Sequence, residues 1–504
     1  MKIKIITLIL MILCMGAYAS CGGSGDEQPN TLVNVPDNAN NQENAGGAES
    51  EEEQEQRIFS DAPVQDHGGA EYRIIGRLAV TSNRHWDARD LYAEEESGDI
   101  IEDAVFRRNK TIEEKFNIKI TRIEADPPTS LARRAIQAGT NDYDIIYDAI
   151  VQTKDLMTAG LGLDLKNVPH IDLGKPWYDQ NANRQLSIGN KLYTTFSDFT
   201  ILDKDCTWVY LFNKQLLADL ALEDPYQLVR EGKWTIDKLY DMCKGASRDL
   251  DGDGVMGNWD QYGYMGESFN MYVGLVAADV VLFPKDADDL PKFSGMNERV
   301  FIAFEKLLGV FGNKEISLRA EDITGYAGDI WVEVMDAGFM EGRVLFNNAG
   351  MNRVTLFRSM EIDFGILPSP KLNEAQENYY NTVTHHSATS FVIPVTLAGE
   401  DLARVGAVTD ALAAESRYTL IPAYYETQLK TKLTRDDDSS EMMDLIFANR
   451  RFDLGLIFGF GDIVGIFGTA MTQNNANIAS RLESAEPRAE RDIEKLIGQI
   501  MGSD

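Results

Sequence analysis

Within twelve residues the sequence places Asp249, Asp251, Asp253 and Asp260 at positions 1, 3, 5 and 12. Four carboxylates this close repel one another unless a cation gathers them. Hard oxygens at alternate positions suit Ca²⁺, and so do a glycine at position 6 (Gly254) for the sharp turn and a main-chain carbonyl at position 7 (Val255). One structural Ca²⁺ is therefore expected, held by Asp249, Asp251, Asp253, Asp260 and the Val255 carbonyl.

The spacing is that of an EF-hand loop, with two departures. Asp260 stands where a bidentate Glu is usual, and no exit helix follows, since Gln261-Tyr262-Gly263-Tyr264 reads as a strand. A solvated acidic turn without an ion is the alternative.

A second reactive residue is Cys21. Met1-Lys2-Ile3-Lys4 is followed by a short apolar run and then by Gly16-Ala17-Tyr18-Ala19-Ser20-Cys21. Lysines, an apolar stretch and small residues before a cut make a secretory signal. The run is too short to span a bilayer, which takes about 20 residues. The pattern resembles the bacterial lipobox, with Tyr18 where leucine is usual. It implies cleavage after residue 20 and a diacylglycerol on the Cys21 thiol, so the mature chain is expected to be lipid-anchored at the extracellular face of the cell membrane. Residues 21–68 show no apolar periodicity. Between residues 21 and 67 eleven acids face Arg57 alone, a composition expected to form a disordered acidic tether.

The formal net charge of −32 repels phosphate backbones and argues against a nucleic-acid partner. Of the four cysteines, only Cys206 and Cys243 lie beyond the anchor, and they read better as two separate buried thiols than as a disulfide. The remaining length exceeds what one core supports, so two domains are expected.

The elements alternate. Tyr72-Arg73-Ile74-Ile75 opens a strand; Ile101, Ala104, Val105, Ile112 and Phe116 then share one helical face. A strand over 118–123, a helix over 131–138 and a strand ending at Tyr147 and Asp148 complete a parallel α/β pattern. Ligands of such sheets bind beyond the carboxyl ends of the strands, so Tyr147 and Asp148 become candidates. Later, Thr235 can cap a helix whose apolar residues are Ile236, Leu239, Tyr240 and Cys243.

Six segments in order, "DYDIIYDA", "NKLYTTF" with "TWVYLFNK", "GKWTIDKLYDMC", "FMEGRVLF", "DFGILPSP" and "SFVIP", resemble the extracellular solute-binding proteins of ATP-driven importers, in the class of maltose-binding protein. The resemblance implies a two-lobed, type II periplasmic-binding-protein-like α/β fold, with solute closed in a cleft between hinged lobes. Carried over, the crossings fall near 196–200, 366–370 and 414–417. Lobe 1 becomes 70–198 plus 368–415, and lobe 2 becomes 199–367 plus 416–504. The implied partners are a carbohydrate or oligosaccharide and the permease of an ABC importer. The chain itself is expected to be monomeric and not an enzyme.

Sugar sites combine aromatic faces with carboxylates and amides. Trp86, Trp177, Trp208, Asp203, Asp205, Asn347 and Asn348 join Tyr147 and Asp148 as candidate ligand contacts. Trp234 and Trp259 read as structural, and Trp331, in an apolar helical stretch, reads as core. An extracellular polysaccharide-acting hydrolase or a surface adhesion protein remains the rival reading. No HExxH, GxSxG or GxxxxGK[ST] motif is present.

Overall fold

A computed structural model describes residues 57–79, 86–429 and 437–502. The expected signal, Cys21 and the tether up to residue 56 lie outside the described residues.

Local chemistry starts the first sheet. Strand β1 (Ala70–Gly76) runs parallel to β2 (Ile118–Glu124) and to β3 (Ile145–Ala149). Between β1 and β2 lies helix α1 (Ile100–Phe116). Asp99 caps it by accepting from the backbone N–H groups of Ile101 and Glu102, and Asn117 ends it in a left-handed conformation at φ 46°. Its buried face holds Ile101, Ala104, Val105, Ile112 and Phe116, as the spacing requires, and also Arg108 and Asn109. Strand β9 (Thr389–Val392) completes the sheet antiparallel to β3, giving the order β9-β3-β1-β2.

The second sheet has five strands in the order β6-β5-β7-β4-β8. They are β4 (Trp208–Asn213), β5 (Tyr262–Gly266), β6 (Ser317–Arg319), β7 (Val344–Gly350) and β8 (Phe364–Leu367). Strand β5 is parallel to β6 and β7, whereas β4 is antiparallel to β7 and β8. Helix α2 (Ile236–Ala246) backs this sheet. Thr235 Oγ1 caps it by accepting from Lys238 N, and Ile236, Leu239, Met242, Cys243 and Ala246 are its buried residues; Tyr240 is only half-buried. Two α/β lobes of this kind make a two-lobed, periplasmic-binding-protein-like fold.

Arg108 ties α1 to the segments between the lobes. Its guanidinium donates to Phe199 O at 3.0 Å, Asp90 O at 2.8 Å, Leu91 O at 3.2 Å and Ser416 Oγ at 3.2 Å. It also lies 4.1 Å from the centre of the Phe199 ring. Phe199 sits in the first expected crossing, and Ser416 in the third.

Three boundaries differ from expectation. Residues 368–383, assigned by resemblance to lobe 1, pack with the second sheet's layer. Pro368 O accepts from Trp234 Nε1, Tyr379 OH donates to Val229 O, and Gln376 Nε2 donates to Ala277 O. The helix Leu420–Leu429, assigned to lobe 2, bridges both lobes: it lies against α1 and shares a buried cluster with Val209, Leu211, Phe364 and Ile366 of the second sheet. Residues 58–68, assigned to the tether, are hydrogen-bonded to the folded body: Ile58 N donates to Tyr418 OH at 2.8 Å and Ser60 Oγ to Asp410 at 2.5 Å. In each case the partners are distant in sequence, and composition alone does not reveal them. Cys206 and Cys243 are buried free thiols. Among the described residues no helix is long and apolar enough to cross a membrane.

Candidate functional site

The carboxyl ends of β5 and β7 form the floor of a cavity of about 100 Å³. Here Met265 pairs with Asn347, and β4 runs back alongside so that Tyr210 faces Asn348 and Trp208 faces Gly350. The walls bring Trp86, from the segment after β1, to Trp208, Glu267, Trp331, Asp336 and Arg353. A floor at strand carboxyl ends is the usual ligand position in such sheets.

Asn270 fixes the amides. Its Nδ2 donates to Asn348 O at 2.9 Å and to Asn348 Oδ1, while its Oδ1 accepts from Glu267 N at 2.9 Å. Trp208 packs edge-on against Phe269 at 5.7 Å, and its buried Nε1–H has no acceptor among the described residues. A buried donor left without a partner costs about 1–3 kcal/mol, which an oxygen of a bound molecule would remove.

Two carboxylates face this space in different states. Asp336 pairs with Arg353 at 3.0 Å, yet burial pushes its carboxyl up to about 6. Glu267 makes no side-chain hydrogen bond or ion pair among the described residues. Burial, and then repulsion from Glu321, raises it to about 7, with Arg353 opposing.

Of the nine expected contacts, Trp86, Trp208, Asn347 and Asn348 meet here. The other five are engaged elsewhere. Tyr147 is core, packed between Phe199 at 5.0 Å and Phe391 at 5.7 Å. Asp148 is buried and accepts from Ala149 N at 2.7 Å and Thr129 N at 3.3 Å. Trp177 is wholly buried, its Nε1 donating to Asp410 at 3.1 Å. Asp203 is paired with Arg450 and Lys204. Asp205 accepts from Tyr424 OH at 2.9 Å, and burial raises its carboxyl to about 7. These residues are committed to partners inside the protein, and none of them lines the cavity.

Trp331 shows the reverse. Expected in the core, it is 39 % exposed on a π-helix (Trp331–Asp336) and lines the cavity. Glu267, Asn270, Asp336 and Arg353 were also missed, because nothing in their spacing distinguishes them from surface polar residues. Trp234 is core as expected, whereas Trp259 is 54 % exposed with Arg343 stacked 5.3 Å from its ring.

The acidic loop is a separate feature. Asp249, Asp251 and Asp253 bring one carboxylate oxygen each within 4.8 Å of one another. Gly252 (φ +75°) and Gly254 (φ +84°) take left-handed turns that a side chain would strain. Asp249 accepts from Gly254 N and Gly252 N, and these bonds hold its carboxyl below the usual range. Asp260 stands apart from the trio. It is buried, and its two oxygens accept from Leu250 N at 2.8 Å and Gly257 N at 2.7 Å. Val255 N donates to Asp253 at 2.8 Å, and its side chain is exposed.

No family model matches the sequence, and no curated protein matches it. Solved structures do. A cyclo/maltodextrin-binding protein complexed with maltotetraose is 14 % identical with a TM-score of 0.53, covering 86 % of this chain and 98 % of its own. The apo form of RafE from Streptococcus pneumoniae is 11 % identical with a TM-score of 0.53, over 84 % of this chain and 98 % of its own. A sugar transporter from Rhizobium etli in an open conformation is 12 % identical with a TM-score of 0.53, over 86 % and 99 %. At this identity the likeness is one of fold.

Proposed function

We propose that this chain is a non-enzymatic solute-binding protein. It captures a carbohydrate between its lobes and delivers it to the permease of an ABC importer. The observation that carries the reading is the meeting of Trp86, Trp208 and Trp331 over a floor of amides at the carboxyl ends of β5 and β7. Aromatic surfaces with a few convergent polar groups are what a sugar site needs. The solved structures of like fold include a cyclo/maltodextrin-binding protein complexed with maltotetraose, which supports the same ligand class. Closure of hinged lobes turns binding energy into a shape that a permease can sense.

In this reading the lipid on Cys21 holds the protein at the extracellular face of the membrane, and the acidic segment after it gives reach. The loop at 249–260 holds one Ca²⁺ through Asp249, Asp251 and Asp253. Asp260, whose two oxygens accept from Leu250 N and Gly257 N apart from the trio, would have to turn toward the ion to join them, and the Val255 carbonyl is the further ligand proposed. The ion neutralises the carboxylates and fixes the turn before β5.

A thermal-shift and calorimetry panel of oligosaccharides tests the core of the proposal. Saturable binding with no change in the sugar is expected. Turnover of any of them supports the hydrolase reading, and failure of every sugar to bind overturns the carbohydrate assignment.

A further inference from the structure

The cavity is more specific than a neutral-sugar site requires. Its charged lining among the described residues is Glu267, Asp336 and Arg353. Arg353 pairs with Asp336 at 3.0 Å and reaches Glu267 only through its longer-range field, which leaves Glu267 as the carboxylate without an ion-pair partner among the described residues. Glu321 adds a second negative field at Glu267. A neutral sugar needs hydrogen-bond partners here, and Asn270, Asn347 and Asn348 already line the site. An additional unpaired carboxylate in a cavity lined by three tryptophans is costly to keep ionised unless the ligand brings the opposite charge. Indoles also attract cations through their electron-rich faces. The whole chain, at −32, draws cations toward it as well.

Resting on the carbohydrate reading above, we infer that the solute is a sugar bearing a protonated amino group, with the ammonium bound at Glu267 and the ring enclosed by Trp86, Trp208 and Trp331. On binding, the ammonium stabilises Glu267 as the carboxylate, any proton on it passing to solvent, and the pair is satisfied without disturbing Arg353 and Asp336.

The test is calorimetry on the purified full chain at pH 7 with three trisaccharides of equal length: β-1,4-linked glucosamine, its N-acetylated counterpart and maltotriose. A charge-assisted contact in a desolvated site is worth about tenfold or more in affinity. The glucosamine trimer is therefore expected to bind at least about tenfold tighter than either neutral sugar, and Glu267→Gln should bring that ratio close to one. Equal or tighter binding of a neutral sugar overturns the inference while leaving the carbohydrate reading standing. A preference that survives in Glu267→Gln also overturns it, because the selectivity would then arise elsewhere. Absence of binding to all three, charged and neutral, overturns both.

Discussion

Arg450 Nη1 donates to Asp203 Oδ2 across 2.6 Å, with Asp203 wholly buried, although the two residues lie 247 positions apart. Arg450 also pairs with Asp179, so one guanidinium neutralises two carboxylates in the interior. Asp203 is therefore a structural anion. Removing the arginine while leaving both acids buried costs about 3–5 kcal/mol for such pairs. Arg450→Met should lower the unfolding free energy measured in denaturant by that amount, and Asp203→Asn should follow in the same direction. A change below about 1 kcal/mol for Arg450→Met would show that water screens the pair.

Trp331 and Trp177 make a matched contrast. Trp331→Ala removes a partly exposed cavity wall, so stability should change by no more than about 0.5 kcal/mol while sugar affinity falls about tenfold or more. Trp177→Ala removes a wholly buried ring and should cost about 3–5 kcal/mol. Melting curves and titrations of both variants should separate the two effects; loss of stability in Trp331→Ala would return that residue to the core.

Glu267 gives the protein a pH signature. Below pH 4.5, its ordinary value, both folded and unfolded chains hold the proton, and the group is neutral to stability. As pH rises toward about 7 the unfolded chain releases the proton while the folded chain keeps it, so stability falls across that window. At about 1.4 kcal/mol per pH unit the loss is on the order of 3 kcal/mol. Glu267→Gln should therefore be more stable than the parent at pH 8 and indistinguishable at pH 4. Parallel stability curves for the two proteins from pH 4 to pH 8 would refute this.

For the acidic loop, the purified protein should carry about one Ca²⁺ per chain, and EGTA should lower its melting temperature. Asp251→Asn should abolish the EGTA effect. An unchanged melting temperature with no calcium in the protein would leave the loop as a self-bonded turn.

Cys21→Ala should release an intact, sugar-binding protein into the medium, since the anchor is proposed to be the lipid alone. Fractionation followed by immunoblotting reads the outcome, and retention of the variant with membranes would place the anchor elsewhere.

Local features were legible in the sequence because their causes are local. The face of α1 with its Asp99 cap, the Thr235 cap and the glycines of the 249–260 loop each depend on neighbours within one or two turns. The parallel strands of the first sheet followed from the same alternation, whereas the two-lobed fold was implied by the resemblance and not by any local pattern. Four cavity residues were also legible, because Trp208, Asn347 and Asn348 lie on the strands that form the floor and Trp86 follows the first strand.

What only the tertiary structure decided is which of several chemically identical groups is free to act. Asp203 and Glu267 are both carboxylates that look available in the sequence. Asp203 meets Arg450 from the far end of the chain, whereas Glu267 meets no cation close enough to pair. Trp177 and Trp331 diverge likewise, one closed over by Asp410 and the other left on a cavity wall. A side chain's charge and stacking capacity are set by its own atoms. Whether they are spent inside the protein or offered to a ligand is set by partners that the fold brings from hundreds of residues away.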